Sequence, residues 1–256
     1  VQRFLPLHEE NPVVKSPLRI AIAVLAPLAV IGLATPAANA APASHIHKPL
    51  NHGLSHSTSG NWAGYAVTGG KFTSVSASWV QPSVKATSQD AYSSFWVGID
   101  GDGSNSVEQL GTEVDYINGQ AEYYAWYEMY PAYPVNFSDT VRPGDHFTAS
   151  VTETTGGKFT LKIADTTRGW SHTVTKTYSA AKLASAEIIA EAPSDSNGTL
   201  PLADFGSVTF TGATANGKSI GSQNYDPITQ ASGGTVKDAV SGLSGGTTFT
   251  CTWKHV

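Results

Sequence analysis

From Asn61 onward the chain alternates apolar and polar residues in short runs. In FTSVSASWVQP (72–82), Phe72, Ser74, Ser76 and Ser78 alternate with Thr73, Val75, Ala77 and Trp79, and Pro82 closes the run. A period of two places each set on its own face of a strand. EYYAWYEMYP (122–131) predicts a strand with Tyr124, Trp126 and Glu128 on one face and Tyr123, Ala125 and Tyr127 on the other. AYSSFWVGIDG (91–101) is a third run of this kind, leading into a Gly-Asp-Gly turn. HFTASVTETTGGKFTLKIADTT (146–167) predicts a hairpin turning at Gly156-Gly157. WSHTVTKTYS (170–179), SVTFTGATANGKS (207–219) and TTFTCTWKHV (247–256) repeat the pattern. Helical spacing shows only over 179–192, weakly. Many antiparallel strands, no βαβ rhythm and no internal repeat predict an all-β fold: a β-sandwich or jelly roll of two antiparallel sheets, whose concave face is a natural cleft.

Composition sharpens this picture. Charged residues make up 14% of the 256, well under the roughly 25% usual in globular proteins. Glycine, tyrosine, phenylalanine and tryptophan are plentiful, as an aromatic core between short strands requires. The single cysteine, Cys251, leaves no partner for an internal disulfide and reads as a buried small hydrophobe. Beyond residue 57 there are 18 acidic residues against 11 Lys and Arg, a net charge of −7 with histidines neutral. With no basic patch, nucleic acid is excluded as a partner. Few ion pairs also means few to lose when carboxylates protonate, which suits work in acid.

The first 40 residues read as an export signal. Lys15 and Arg19 precede the apolar run IAIAVLAPLAVIGLA (20–34), and ANA (38–40) has the small-x-small pattern that predicts a cut after Ala40. The expectation is a secreted protein with no stable membrane association once the signal is removed. Residues 41–60 hold four of the eight histidines, His45, His47, His52 and His56, among Ala, Pro, Ser and Gly. They read as a mobile leader or pro-segment whose imidazoles gain charge between pH 5 and 8. The folded domain is expected over 61–256.

Familiar catalytic motifs are missing: there is no GxSxG, HExxH, CxxC or phosphate loop. His146, His172 and His255 stand in no nucleophile–base setting, so serine, cysteine and His-ligated metal chemistry are not expected. Carboxylates remain. Asp100 lies in WVGIDGDG, Gln109 and Glu113 in VEQLGTEVDY, Glu128 in AWYEMYP, and Glu187 with Glu191 in AEIIAE.

Taken in order, NWAGYAV, FTSVSASWVQP, FWVGIDG, EQLGTEVDY, YYAWYEMYP, AEIIAEAPS and PLADFGSVTFTGATA resemble the eqolisins, or glutamic endopeptidases, across the whole folded part. The resemblance implies a sandwich of two seven-stranded sheets and a Gln–Glu dyad with neither metal nor cofactor. Its catalytic glutamine falls on Gln109 and its catalytic glutamate on Glu191, the second of AEIIAE, leaving Glu187 as a structural neighbour. Its substrate-binding residues fall on Trp62, Trp96, Asp100, Trp126 and Glu128. A carboxylate beside a neutral amide can take a proton from water, while the amide N–H meets the developing oxyanion. The chain departs from the fungal pattern after Gln109, where Glu113 and Asp115 compete for the next acidic position. The implied protein is a monomeric, secreted, acid-acting endopeptidase of polypeptides. A carbohydrate-binding module or glycosidase on the same jelly roll is the alternative, since aromatics on a concave sheet can stack on sugars.

Overall fold

The computed structural model describes residues 45–48 and 58–256. The expected export signal, the cut after Ala40, His52 and His56 lie outside the described residues.

Fourteen strands follow one another edge to edge, each antiparallel to its neighbours, and the path folds back on itself into two layers. The front layer runs from the first half of Tyr225–Ser232 through Trp62–Val67, Ala186–Glu191, Ala91–Ile99, Val107–Ile117 and Gln120–Tyr130 to Val135–Asn136. The back layer runs Trp170–Thr177, Lys158–Asp165, His146–Thr154, Ser74–Val80, Ser207–Ala215, Phe249–Trp253 and Thr235–Val240. Tyr225–Ser232 joins the layers, pairing with Trp62–Val67 over 225–228 and with Thr235–Val240 over 230–232, across a register shift. Thr58–Ser59 adds a short parallel contact beside it. The helical element among the described residues is a single 3-10 turn, Ile220–Ser222.

Alternation explains the packing. Val75, Ala77 and Trp79 of Ser74–Val80 are buried while the serines between them are half-exposed. Phe95, Val97, Leu110 and Val114 of the front layer meet Phe147, Val151, Phe159 and Leu161 of the back in one core. The indole N–H of Trp79 crosses that core to donate to Thr112 Oγ1 at 2.9 Å, so its polar edge is satisfied inside the apolar layer. Cys251 is buried in the same core. The hairpin expected at Gly156-Gly157 is present, with φ of 83° and 75°, a left-handed conformation that glycine adopts without penalty.

One local expectation is corrected. Residues 179–192, read as weakly helical, include the strand Ala186–Glu191. It lies between Trp62–Val67 and Ala91–Ile99 and is buried on both faces. A strand covered on both sides does not alternate in polarity, so its pattern cannot announce it.

Candidate active site

Strand register gathers the chemistry onto one face of the front layer. In Val107–Ile117, Gln109, Gly111, Glu113 and Asp115 alternate onto the face turned away from the core. Across one edge they sit opposite Glu128, Trp126, Tyr124 and Glu122 of Gln120–Tyr130. Across the other, Gln109, Gly111 and Glu113 sit opposite Gly98, Trp96 and Ser94 of Ala91–Ile99. Glu191 lies opposite Ser94 and Trp62, one strand further on. Trp62, Trp96, Val107, Trp126 and Ile189 form a second apolar cluster on this face.

The glycines make room for the floor. A Cβ on Gly111 would come within 2.2 Å of the Phe95 carbonyl oxygen and 2.6 Å of Trp96 Cβ. One on Gly98 would lie 2.9 Å from the Trp96 ring. Without those side chains Trp96 can lie against the sheet and aim its indole N–H at Glu191 Oε2, 2.7 Å away. Trp62 packs edge-on against it, ring centroids 5.0 Å apart. Asn61 Nδ2 donates to the other oxygen, Glu191 Oε1, at 3.1 Å. Gln109 Nε2 donates to Glu128 Oε2 at 2.8 Å, which fixes the direction of the amide.

The leader does not stand apart from the fold where it is described. Ile46 exchanges backbone hydrogen bonds with Ser194, at 2.9 and 3.0 Å, so His45–Lys48 runs as an extended segment across the cleft. His47 stacks on Trp126, with centroids 3.8 Å apart and planes 3° apart. Its Nδ1 lies 3.3 Å from Glu191 Oε2 and its backbone N–H donates to Glu128 Oε2 at 3.3 Å. Its carbonyl oxygen accepts from Gln109 Nε2 at 3.1 Å. The peptide group of His47 is thus held by the amide while Glu191 faces its side chain. Both imidazoles of this segment lie against buried carboxyl groups of the cleft.

Burial sets the protonation of the covered site. It pushes the Glu191 carboxyl well above its ordinary pKa, opposed by the hydrogen bonds from Trp96 and Asn61. Glu128 is raised by burial and then by the Glu191 charge, and Glu113 by burial and then by Asp115. Burial lowers His47 to about 3, with His45 adding to the effect.

The sequence-picked residues separate here. Gln109, Glu191, Trp62, Trp96, Trp126 and Glu128 come together on one face. Asp100 turns its side chain to a different part of the fold. Its buried carboxylate accepts the backbone N–H groups of Lys182, Leu183 and Ala184 at 2.8 to 2.9 Å, pinning the segment that leads into Ala186–Glu191. Glu187 shares the face of Glu191, but four residues along a strand is about 13 Å. Its Oε1 accepts from Asp102 N–H at 3.3 Å. Sequence reasoning passed over Asn61 as a partner of Glu191, although NWAGYAV contains it, and His47. Among the described residues no group of three or more His, Cys, Asp or Glu is arranged to hold a metal, and no helix is long and apolar enough to cross a membrane.

Comparison with known proteins identifies the family. A sequence model of the peptidase A4 family matches residues 60–253. Aspergillopepsin-2 of Aspergillus niger is 34% identical over 200 residues, covering 67% of this chain and 70% of the relative. Scytalidopepsin B of Scytalidium lignicola is 41% identical over 105 residues, covering 40% and 39%. The structure of scytalido-glutamic peptidase with a transition-state analogue superposes with a TM-score of 0.63 at 30% identity, over 76% of this chain and 98% of that one. A structure of SCP-B, an eqolisin in complex with the tripeptide Ala-Ile-His, gives 0.63 at 27% identity, over 76% and 98%. A family match spanning the sandwich, joined to relatives of the same kind in sequence and in structure, settles the kinship: the chain belongs to the peptidase A4 family, the eqolisins, and is a glutamic endopeptidase.

Proposed function

We propose that the chain is an exported, acid-acting endopeptidase that hydrolyses polypeptides through Gln109 and Glu191, with residues 41–60 as a pro-segment whose residues 45–48 lie across the cleft. The observation that carries this reading is a peptide group already seated there: the His47 carbonyl accepts from Gln109 Nε2, and the imidazole of the same residue lies beside the Glu191 carboxyl. A relative's complex with Ala-Ile-His lends support, since His45-Ile46-His47 ends in the same two residues.

Departure of the leader returns water to Glu191 and removes part of the burial that holds its proton. Ionised, Glu191 takes a proton from a water as that water's oxygen attacks the carbonyl carbon. The carbonyl oxygen gains the charge and the Gln109 N–H meets it. Collapse of the tetrahedral species breaks the C–N bond, and the proton on Glu191 passes to the leaving nitrogen. Glu128 keeps the Gln109 amide N–H turned toward the oxyanion, and the tryptophans wall off the site. An amide partner avoids the like-charge repulsion a second carboxylate would bring.

The test is digestion of unfolded casein at about pH 4, near the ordinary carboxyl pKa range, by wild type and by Glu191→Gln. Wild type should release peptides and the folded variant should not. Equal digestion by both refutes the dyad. Sugar release from polysaccharides without peptide cleavage would restore the glycosidase alternative, which the family match does not favour.

A further inference from the structure

The cleft face of Val107–Ile117 carries two carboxyl groups that the dyad mechanism does not use. Glu113 and Asp115 follow Gln109 on that face and are fully buried. Glu113 lies against the Ser94 side chain and Asp115, yet neither of its carboxyl oxygens, nor Oδ1 of Asp115, makes a well-formed hydrogen bond. Oδ2 of Asp115 accepts the Tyr124 hydroxyl at 3.0 Å, which holds that carboxyl in place. Buried acceptors left without donors are costly, and native folds supply partners for nearly all of them.

The chain's own leader is what lies against this pair. His47 Nε2 is 3.7 Å from Glu113 Oε2, and His45 Nε2 is 3.7 Å from Asp115 Oδ2. Residues two apart in an extended segment project their side chains the same way. The bonds of Ile46 to Ser194 hold the segment in that register. Because the carbonyl on Gln109 belongs to His47, the facing side chains are those of the residue supplying the attacked carbonyl and of the residue two before it.

We propose that Glu113 and Asp115 form an acidic wall that selects polypeptides carrying a basic residue at these two positions. The inference rests on the peptidase reading above and names its substrate class. Lysine, arginine or protonated histidine brings N–H donors and a positive charge to oxygens that otherwise lack partners. Phenylalanine can take the stack on Trp126 but supplies no donor, and glutamine supplies a donor without charge.

The experiment uses the full chain and four internally quenched peptides that differ only at those two positions, carrying Lys, His, Gln or Phe at both. The leader competes with every peptide alike, so its effect cancels in ratios of kcat/KM. A hydrogen bond to a charged group is worth about tenfold or more in an equilibrium constant, so the Lys and His peptides should exceed the Gln and Phe peptides by about that factor. In Glu113→Gln/Asp115→Asn the ratio should fall to about one. Should the double variant misfold, Asp115→Asn alone should bring the Lys-to-Gln ratio part of the way toward one, and an unchanged ratio overturns the role of Asp115. Equal kcat/KM for Lys and Gln peptides in wild type, or a preference for Phe, overturns the proposal while leaving the peptidase reading intact. Peptide cleavage that survives Glu191→Gln overturns the dyad instead, and the wild-type ratios still decide the wall.

Discussion

Gln109 Nε2 and Glu128 Oε2 are 2.8 Å apart on adjacent strands, directly opposite one another in the register. One hydrogen of the amide is thereby committed to Glu128, and the other points at the carbonyl oxygen of His47. The carboxyl decides which end of the glutamine faces the cleft.

Removing the donor and removing its support should therefore differ in degree. Gln109→Ala should lower kcat by about 10²–10³-fold, the scale for one oxyanion donor. Glu128→Leu leaves the donor present but free to rotate and should cost less, by about one order of magnitude on that same scale. Steady-state kinetics on one peptide checks both. A Glu128→Leu loss equal to or larger than that of Gln109→Ala would mean that Glu128 acts directly on the substrate.

The leader should compete with substrate through His47. His47→Ala deletes the stack on Trp126 and the imidazole beside Glu191. A stacked aromatic pair is worth roughly 0.5–1.5 kcal/mol beyond its buried area, so initial rates of the full chain on a short peptide should rise about three- to tenfold. Stopped-time assays on freshly isolated protein, with the N-terminus verified by mass, make the measurement. Unchanged rates would show that this contact does not limit access.

Stability should decline as pH rises from the acid side toward neutrality. Burial, with the Asp100 charge adding, pushes Glu108 up to about 8, and burial pushes Asp238 up to about 8. Both folded pKa values lie above the unfolded ones, so the native state binds more protons. The resulting stabilisation is complete below about pH 4 and is lost as pH climbs through about 8. At about 1.4 kcal/mol per pKa unit, the two groups withdraw several kcal/mol across that window. Thermal melts at pH 4, 6 and 8 should show falling Tm, and Glu108→Gln/Asp238→Asn should flatten the trend. A Tm that rises toward pH 8 contradicts the assignment.

Asp100 should prove a stability residue. Asp100→Asn keeps a residue type that tolerates its φ of 67° but loses the charge received by three backbone N–H groups. Bonds to charged groups are worth about 1.5–3 kcal/mol each, and part of that should disappear from the unfolding free energy. KM should stay within about twofold if the carboxylate makes no substrate contact, since uniform binding is what KM would register. A large KM effect with an unchanged melting curve would return Asp100 to the substrate contacts.

Gly111→Ala should be severe. The added Cβ meets the Phe95 carbonyl oxygen and the Trp96 backbone, neither of which can swing aside. Overpacking of this kind costs about 1–3 kcal/mol, and displacement of Trp96 should reduce activity beyond the loss of fold, read as specific activity of the soluble fraction.

Local pattern determined a large part of this protein. Period-two alternation at 72–82 and 122–131, with Gly156-Gly157 between two further runs, was enough to read a sandwich of antiparallel strands and even the face on which Trp126 and Glu128 lie. That legibility comes from half-burial, which writes the two environments of a strand into alternate letters. Ala186–Glu191 was not legible in this way, because both of its faces are covered and nothing in its polarity distinguishes strand from helix. Resemblance of motifs singled out Gln109 and Glu191 but could not sort their neighbours. Only the tertiary structure decided that Asp100 turns to the 182–184 backbone, that Asn61 reaches Glu191, and that Glu113 and Asp115 line the cleft with oxygens lacking donors. It also decided the place of residues 45–48. Nothing local to His45-Ile46-His47 foretells a partner, since Ser194, Trp126, Gln109 and Glu191 are brought within its reach by strand pairings between segments far apart in the chain.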